Sequence, residues 1–374
     1  MSKPYQICNR CVMDTTDPEI TFDKEGNCNH CNNAIEQSKS VWFPNEEGEE
    51  KLKQIVQEIK TERRNKEYDC IIGLSGGVDS SYLAFKVIKL GLRPLVVHVD
   101  CGWNSEMAVK NVENIVKKLG LDLHTHVVDW QEMKDVQLAY FKANVANQDV
   151  PQDHAIFAAL YSYAVKNNIN YVFSGSNFAT ESILPKAWGY TALDYKSLKS
   201  IHKRLGSRKL KRFPHVTFFK RYIYFTFVRR MKIIKPLNLI PYDKEKAIEI
   251  MKNELGWQYY GGKHHESRFT KFFQAYYLPH KFGYDKRRAH LSSLIVSGQL
   301  SRNEALEEMK KEIYPNGSHI EDMEYVAKKL GISSAEFEQI IEMPNKSYND
   351  YANNEKLFKL GFKIRNLFNK KENI

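Results

Sequence analysis

The sequence predicts an α/β protein built on a doubly wound parallel sheet, with a small cysteine-punctuated unit before it and a mostly helical region after it. Three observations support this. Short apolar runs alternate with helical patterns between residues 68 and 175, the signature of βαβ units with helices on both faces. A glycine-rich turn, "GLSGGVDSS", joins the first of these runs to a helix. Two C-x2-C pairs, Cys8/Cys11 and Cys28/Cys31, mark off the N-terminal unit.

The elements follow in order. Residues 1–44 form the cysteine unit, and 45–64 a linker running into an amphipathic helix, with Leu52, Ile55, Val56 and Ile59 on one face. Strands are expected at 68–74, 93–100, 121–128 and 171–175, and helices at 80–90, 105–119, 131–146 and 153–167. This α/β domain is expected to span 45–240 and to carry a basic, aromatic insertion at about 186–235, within which 219–234 reads as a helix. The remainder, 241–374, reads as a helical substrate or partner region. Its first helix, 243–256, stops at Gly256. Capping boxes, Ser301–Glu304 and Ser333–Glu336, start later helices.

Apolar residues are 42% and charged residues 27% of the 374, ordinary for a soluble globular chain. The N-terminus shows no signal-peptide core, and no run approaches the length of a membrane span, so a cytoplasmic protein is expected. The net charge of +11 is local: residues 196–235 hold fourteen Lys or Arg and no Asp or Glu. They are interleaved with Phe213, Phe218, Phe219, Tyr222, Tyr224, Phe225 and Phe227. Such a stretch suits single-stranded RNA, an anionic membrane surface or an acidic protein, or else a charged outer face over packed rings.

Sixteen residues separate the two cysteine pairs, a spacing at which two knuckles present four thiolates to one tetrahedral ion. A structural Zn²⁺ at Cys8, Cys11, Cys28 and Cys31 is expected, with no open position for catalysis. His30 is an alternative ligand. Cys70, inside a strand, reads as buried, while Cys101 follows "HVD" within reach of the crevice at the strand ends.

The turn itself has no G-x-x-x-x-G-K-[ST] spacing and so lacks the lysine that reaches outer phosphates in a Walker A loop. Gly76 and Gly77 permit close approach of a phosphate, Ser75, Ser80 and Ser81 supply hydroxyls, and the helix start supplies N–H groups. "SGGVDSS" resembles the S-G-G-x-D-S motif of the PP-loop ATP pyrophosphatases. That resemblance implies ATP cleaved between its α- and β-phosphates, with pyrophosphate and its Mg²⁺ at Ser75, Gly76, Gly77, Asp79, Ser80 and Ser81. It also implies adenine read near Val99 at the end of "VVHVD", and a second nucleotide loop in "SGSNFATES". There Gly175 and Asn177 would lie near the α-phosphate and Glu181 near metal. Asp100 is either a ligand contact or a strand-end cap.

The N-terminal "ICNRCVMDTTDPEITFDKEGNCNHC", the loop, and "YGGKHHESRFTKFFQAYYLPHKFGYDKRRAHLSSLIVSGQLSRNEAL" at 260–306 together resemble bacterial N-acetyl sugar amidotransferases of surface-polysaccharide pathways, across nearly the whole chain. The resemblance implies that an acetamido oxygen is adenylated and AMP is then displaced by ammonia, leaving an acetamidino group. The partners it implies are a nucleotide-linked or acidic N-acetyl sugar and a separate glutaminase subunit, with no nucleic acid. For such an enzyme the basic stretch would meet the glutaminase or a membrane surface. Lys281 and Arg287 are the candidate active-site cations beside Asp79 and Ser80; His264, His265, Glu266, Arg268, Arg288 and His290 are candidate sugar contacts. The competing expectations are a PP-loop tRNA-modifying enzyme, of the thiolating or lysidine-synthetase type, and a zinc-ribbon nucleic-acid-binding module with a degenerate loop.

Overall fold

The structure, a computed structural model, describes residues 4–260 and 267–361. Five parallel strands form its sheet in the order β3-β2-β1-β4-β5: β1 Cys70–Gly73, β2 Pro94–Asp100, β3 Asp122–Val127, β4 Tyr171–Phe173 and β5 Lys232–Ile234. Successive side chains point to opposite faces. Ile71, Leu95 and Val97 therefore enter one core with the helices Trp130–Ala143 and Val150–Lys166. Ile72 and Val96 enter the other, under Val78–Lys89, Glu106–Leu119 and Glu46–Glu62.

Local chemistry sets the helix ends. Asn45 caps Glu46–Glu62, whose first turn carries Glu46, Glu47 and Glu49 against the positive end of the helix dipole. Leu52, Val56 and Ile59 bury its inner face. Gly256 ends Lys244–Leu255 in the left-handed conformation, at φ 65°. Ser301 and Glu304 form the expected reciprocal capping box, while Ser333 accepts from the Glu336 amide.

The stretch 219–234 is not one helix. A π-helical segment, Lys220–Val228, ends at Arg229, and Arg230 takes φ 49°. The β-branched pair Ile233 and Ile234 then continues as β5 alongside β4. The basic stretch thus supplies an edge strand, and with Leu198, Ile201, Phe213 and Phe225 it supplies part of the core. Two buried acids of the helix Trp130–Ala143 order its backbone. Glu132 accepts the backbone N–H of Lys211 (2.8 Å) and Phe213 (2.6 Å), and Asp135 accepts those of Ser207 (3.1 Å) and Arg208 (3.0 Å). Phe219, Phe227 and Val228 remain exposed. Among the described residues no helix is long and apolar enough to cross a membrane.

The C-terminal region shares these cores. Phe269, Phe272, Phe273 and Tyr277 pack into the β1–β2 face, and the helix Lys286–Val296 joins the cysteine unit to the rest of the chain. Arg288 on this helix pairs with Asp14 at 2.9 Å and donates to the Val12 carbonyl at 2.8 Å. Asp14 is fully buried. Removing its cationic partner leaves a buried carboxylate short of compensation, a loss of about 3 kcal/mol. Arg288→Ala is therefore expected to lower the thermal midpoint and to speed proteolysis within residues 4–28. Unchanged melting and cleavage would show that the pair does not hold the unit.

Candidate functional site

β1 runs into Leu74, which is still paired to β2 through the Val97 carbonyl at 3.0 Å, and the chain then turns. Gly76 takes φ 83°, and a Cβ there would lie 2.5 Å from the carbonyl oxygen of Ala108, so no other residue fits without moving backbone. The hydroxyls of Ser75 and Ser80 bond at 3.0 Å across the turn, and the Gly77 N–H donates to Ser75 Oγ at 3.2 Å. Gly77 caps the following helix with no side-chain acceptor, the arrangement that suits an anion at a helix N-terminus.

The second loop is built against the first. A Cβ at Gly175 would sit 3.1 Å from the Asp79 carbonyl, so the two backbones nearly touch. Asn177 caps the short helix Phe178–Glu181 and donates through Nδ2 to Asp79 Oδ1 at 3.0 Å. Tyr242 donates its hydroxyl to the same oxygen at 2.5 Å. Two donors thus hold the Asp79 carboxylate in one orientation.

Beside the loop lies a cleft of about 390 Å³ lined by Ser75, Gly77, Asp79, Ser80, Gly175 and Glu181, together with Asp153, Phe157, Lys244 and Tyr260. An apolar compartment of about 370 Å³ adjoins it, sharing Ser75, Ser80, Phe157 and Gly175 and lined further by Val97, Val99, Leu160 and Phe173. The loop residues, Val99, Gly175 and Glu181 are thus brought together. Ser81 is fully buried, with no hydrogen-bond partner for its Oγ among the described residues, and Gly76 turns its carbonyl to Trp257 Nε1 at 2.9 Å. Neither lines the cleft. Asp100 accepts from the Gly102 N–H at 2.8 Å, the strand-end cap rather than a cleft group.

Asp153, Lys244 and Tyr260 escaped sequence reasoning. Asp153 lies three residues into an apolar helix, where one acid looks like a first-turn dipole partner. Burial, the charge of Asp149 and that of Glu181 push its carboxyl up to about 7, against the pull of Lys286. Tyr260 gives its hydroxyl oxygen to the Val78 N–H at 3.1 Å. Asp79 and Glu181 are oxygen donors of the kind Mg²⁺ takes along with substrate phosphates.

The C-terminal candidates are occupied elsewhere, and none lines the cleft. The Lys281 ammonium donates to the carbonyl of Ile341 (2.5 Å) and to that of Met343. Arg287 is bidentate to Asp285, with its closest contact at 2.6 Å, and donates to the Lys311 carbonyl at 2.7 Å. Arg268 pairs with Asp322 and stacks on Tyr325, and Arg288 is committed to the cysteine unit. In this structure these cations are engaged in contacts within the chain and lie outside the cleft. His290 is half-buried on Lys286–Val296; His264, His265 and Glu266 lie outside the described residues.

The cysteine sulfurs of residues 8, 11, 28 and 31 are all buried and lie within 4.8 Å of one another. Backbone N–H groups of Arg10, Cys11, Cys28 and Cys31 point at these sulfurs over 3.1–3.4 Å, as thiolate ligands of a closed site require. Among the described residues this is the one group of three or more such side chains close enough to share an ion. His30 instead bonds Asp17 at 2.6 Å. Cys101 is 4% exposed, and burial pushes its thiol well above the ordinary range.

Together these features define the class: an open parallel α/β protein whose ligand crevice sits at the carboxyl ends of its strands, around a serine–glycine loop. A family profile described as NAD synthase matches residues 48–216, and one described as LPS biosynthesis protein WbpG-like, C-terminal domain, matches 266–365. GMP synthase [glutamine-hydrolyzing] of Pyrobaculum aerophilum is 29% identical over 168 residues, 42% of this chain; that of a Thermus thermophilus strain is 29% identical over 164, or 43%. The chain spans 30% of the length of either relative. Two solved structures align at 17% identity and a TM-score of 0.30. NMN synthetase from Francisella tularensis is covered over 94% of its length by 59% of this chain, and NH3-dependent NAD synthetase from Campylobacter jejuni over 96% by 70%. The two profile matches together support a PP-loop ATP pyrophosphatase superfamily member with a WbpG-like C-terminal domain.

Gly76→Ala forces a side chain into the Ala108 carbonyl in a left-handed conformation. It is expected to weaken ATP binding at least about tenfold, since a distortion of that loop costs of order 1–3 kcal/mol, with the circular dichroism spectrum unchanged. Native ATP affinity in titration calorimetry would refute the reading of this turn.

Proposed function

We propose that the protein is an AMP-forming amidotransferase acting on an N-acetyl sugar. The observation that carries the AMP-forming half is the loop without a Walker lysine, whose Asp79 is fixed by Asn177 and Tyr242 in a cleft it shares with Glu181. The sugar half rests on the WbpG-like match at 266–365 and on the resemblance of the motifs at 1–33 and 260–306.

In this reading the nucleotide base and ribose occupy the apolar compartment past Val99, and the phosphates lie over Ser75–Ser80 at the helix start. The amide oxygen of the acetamido group attacks the α-phosphorus, the bond to the β-phosphate oxygen breaks, and pyrophosphate stays on the loop. Ammonia adds to the activated carbon and AMP leaves with its oxygen, giving the acetamidino group. An amide is a poor electrophile, and adenylation turns its oxygen into a leaving group. Bound Mg²⁺, held by Asp79 and Glu181, would neutralise phosphate charge; backbone N–H groups at the turn add preorganised donors. A glutaminase subunit supplies ammonia, and the four cysteines hold a structural Zn²⁺.

The tRNA-thiolating alternative needs a low-pKa cysteine near the adenylated base. The burial of Cys101 disfavours it, and Cys101→Ser is expected to keep full activity.

Incubation with ATP, ammonium and candidate N-acetyl sugars is expected to release AMP and pyrophosphate and to yield a product about one mass unit lighter, NH replacing O. Formation of ADP and phosphate would refute the proposal. Asp79→Ala is expected to lose about 100-fold or more of turnover, the scale of losing preorganised stabilisation of the transition state, in a folded protein. Metal analysis is expected to find one zinc per chain, lost in Cys11→Ser; a zinc-free, folded wild type would remove the ion from the scheme.

A further inference from the structure

A third cavity, of about 440 Å³, lies among the cysteine unit, the segment after the second loop and the C-terminal turn around Tyr348. Its position relative to the cleft follows from one helix. Val150 lines this cavity, Asp153 and Phe157 line the phosphate cleft, and Phe157 and Leu160 line the apolar compartment. Positions 150, 153, 157 and 160 fall on one stripe of an α-helix, and 150 to 157 is a rise of about 10 Å. This cavity therefore meets the N-terminal end of Val150–Lys166, and the next turns of the same helix line the cleft and then the apolar compartment. Lys186 and Tyr190 bring the chain from the second loop directly to this cavity.

Its lining is chemically distinct from the other two. The rings of Tyr190 and Tyr348 stack with centroids 4.2 Å apart, forming a fixed aromatic wall. Lys186 and Lys346 line it against a single acid, Glu19, and neither lysine pairs with a carboxylate among the described residues. Aromatic faces with a few polar groups and unneutralised cations suit a polyhydroxylated ring bearing an anionic group. The volume falls in the range of small-molecule sites, about 300–1,000 Å³.

We infer that this cavity is the acceptor subsite, holding an anionic glycosyl group on the Tyr190–Tyr348 wall with Lys186 and Lys346 on its charge, so that an acetamido arm extends along the helix to Asp153 and the cleft. The inference rests on the amidotransferase reading for the reaction, and on the cavity for the site. The anion is either a carboxylate on the ring or the diphosphate of a nucleotide sugar.

The test compares N-acetylglucosamine, N-acetylglucosaminuronate and UDP-N-acetylglucosamine on the full-length protein, in the presence of the non-cleavable α,β-methylene ATP, by titration calorimetry. At least one anionic probe is expected to bind about tenfold or more tighter than the neutral sugar, the scale of a charge-assisted contact. Preference for the uronate identifies the carboxylate, and preference for the UDP sugar the diphosphate. Lys186→Ala/Lys346→Ala is expected to remove that preference, and Tyr348→Leu to weaken all three probes, with binding of the ATP analogue unchanged in both. Equal binding of neutral and anionic probes, or a preference that survives the double lysine variant, overturns the site. If AMP is still released from an N-acetyl sugar in that case, the amidotransferase reading stands without it. A lysine-dependent preference without AMP release from any of the sugars overturns that reading and keeps the cavity as an anionic-sugar site.

Discussion

The turn after β1 is held from outside itself, and the rest of the site depends on that. A glycine pair between a strand and a helix has little of its own to fix it. Here Trp257 binds the Gly76 carbonyl, Tyr260 receives the Val78 N–H, and Asn177 and Tyr242 converge on Asp79. These side chains arrive from the end of β4 and from the segments flanking the helix Lys244–Leu255, well separated in the sequence. Each contact removes freedom that a phosphate ligand would otherwise have to remove on binding. The same contacts explain why the second loop cannot be treated as an independent motif. Its Asn177 uses one end on its own helix and the other on Asp79, so the positions of the two loops are a single variable.

Helix Lys286–Val296 extends this coupling to the cysteine unit. On one side it meets the unit, through Arg288 and through the Val12 N–H donating to Ser292 Oγ at 3.2 Å. On the other it meets the segment that follows the second loop: Ser293 Oγ accepts from the Ile183 N–H at 3.0 Å, and Ser297 Oγ donates to the Ala179 carbonyl at 2.9 Å. Small hydroxyl side chains let the helix approach both neighbours while satisfying their backbone groups. Trp42, just past the first helix of the unit, also stacks on Phe178 with ring centroids 5.1 Å apart. With Zn²⁺ bound as proposed, a four-sulfur site would have no open coordination position and its role would be mechanical. The cysteine unit is in any case part of the block against which the second loop is braced.

What was legible in the sequence was local. The loop string, the cysteine spacing and the alternation of strands and helices each declare themselves within a few dozen residues. The β5 strand did not, because three residues carry no period and the aromatic run before them has the spacing of a helix. The partners of the cations of 268–288 were hidden for a different reason. Arg288, Arg268 and Arg287 face Asp14, Asp322 and the Lys311 carbonyl, and nothing in the string pairs 288 with 14. Charged residues beside a conspicuous motif therefore read as substrate contacts until the fold shows their partners. Asp153 and Lys244 failed in the opposite direction, each looking like an ordinary residue of a helix first turn.

Lys244 bears on the absence that makes this loop unusual. A Walker loop carries its lysine within the turn, where the cation reaches the β- and γ-phosphates. Here the corresponding turn carries Asp79, and the cation lining the same cleft comes from Lys244 at the start of another helix. Moving the positive charge off the loop separates two tasks. The turn itself offers N–H groups, hydroxyls and a carboxylate, which together suit a metal-bound pyrophosphate. Lys244 reaches the cleft from the start of its own helix, on a lining it shares with Asp153 and Glu181. In the proposed reaction the attacking oxygen would approach from this lining, opposite the departing pyrophosphate, because displacement at phosphorus needs the incoming and leaving oxygens roughly in line. In the proposed reaction, cleavage between the α- and β-phosphates would then draw on the position of Lys244 as well as on the loop string.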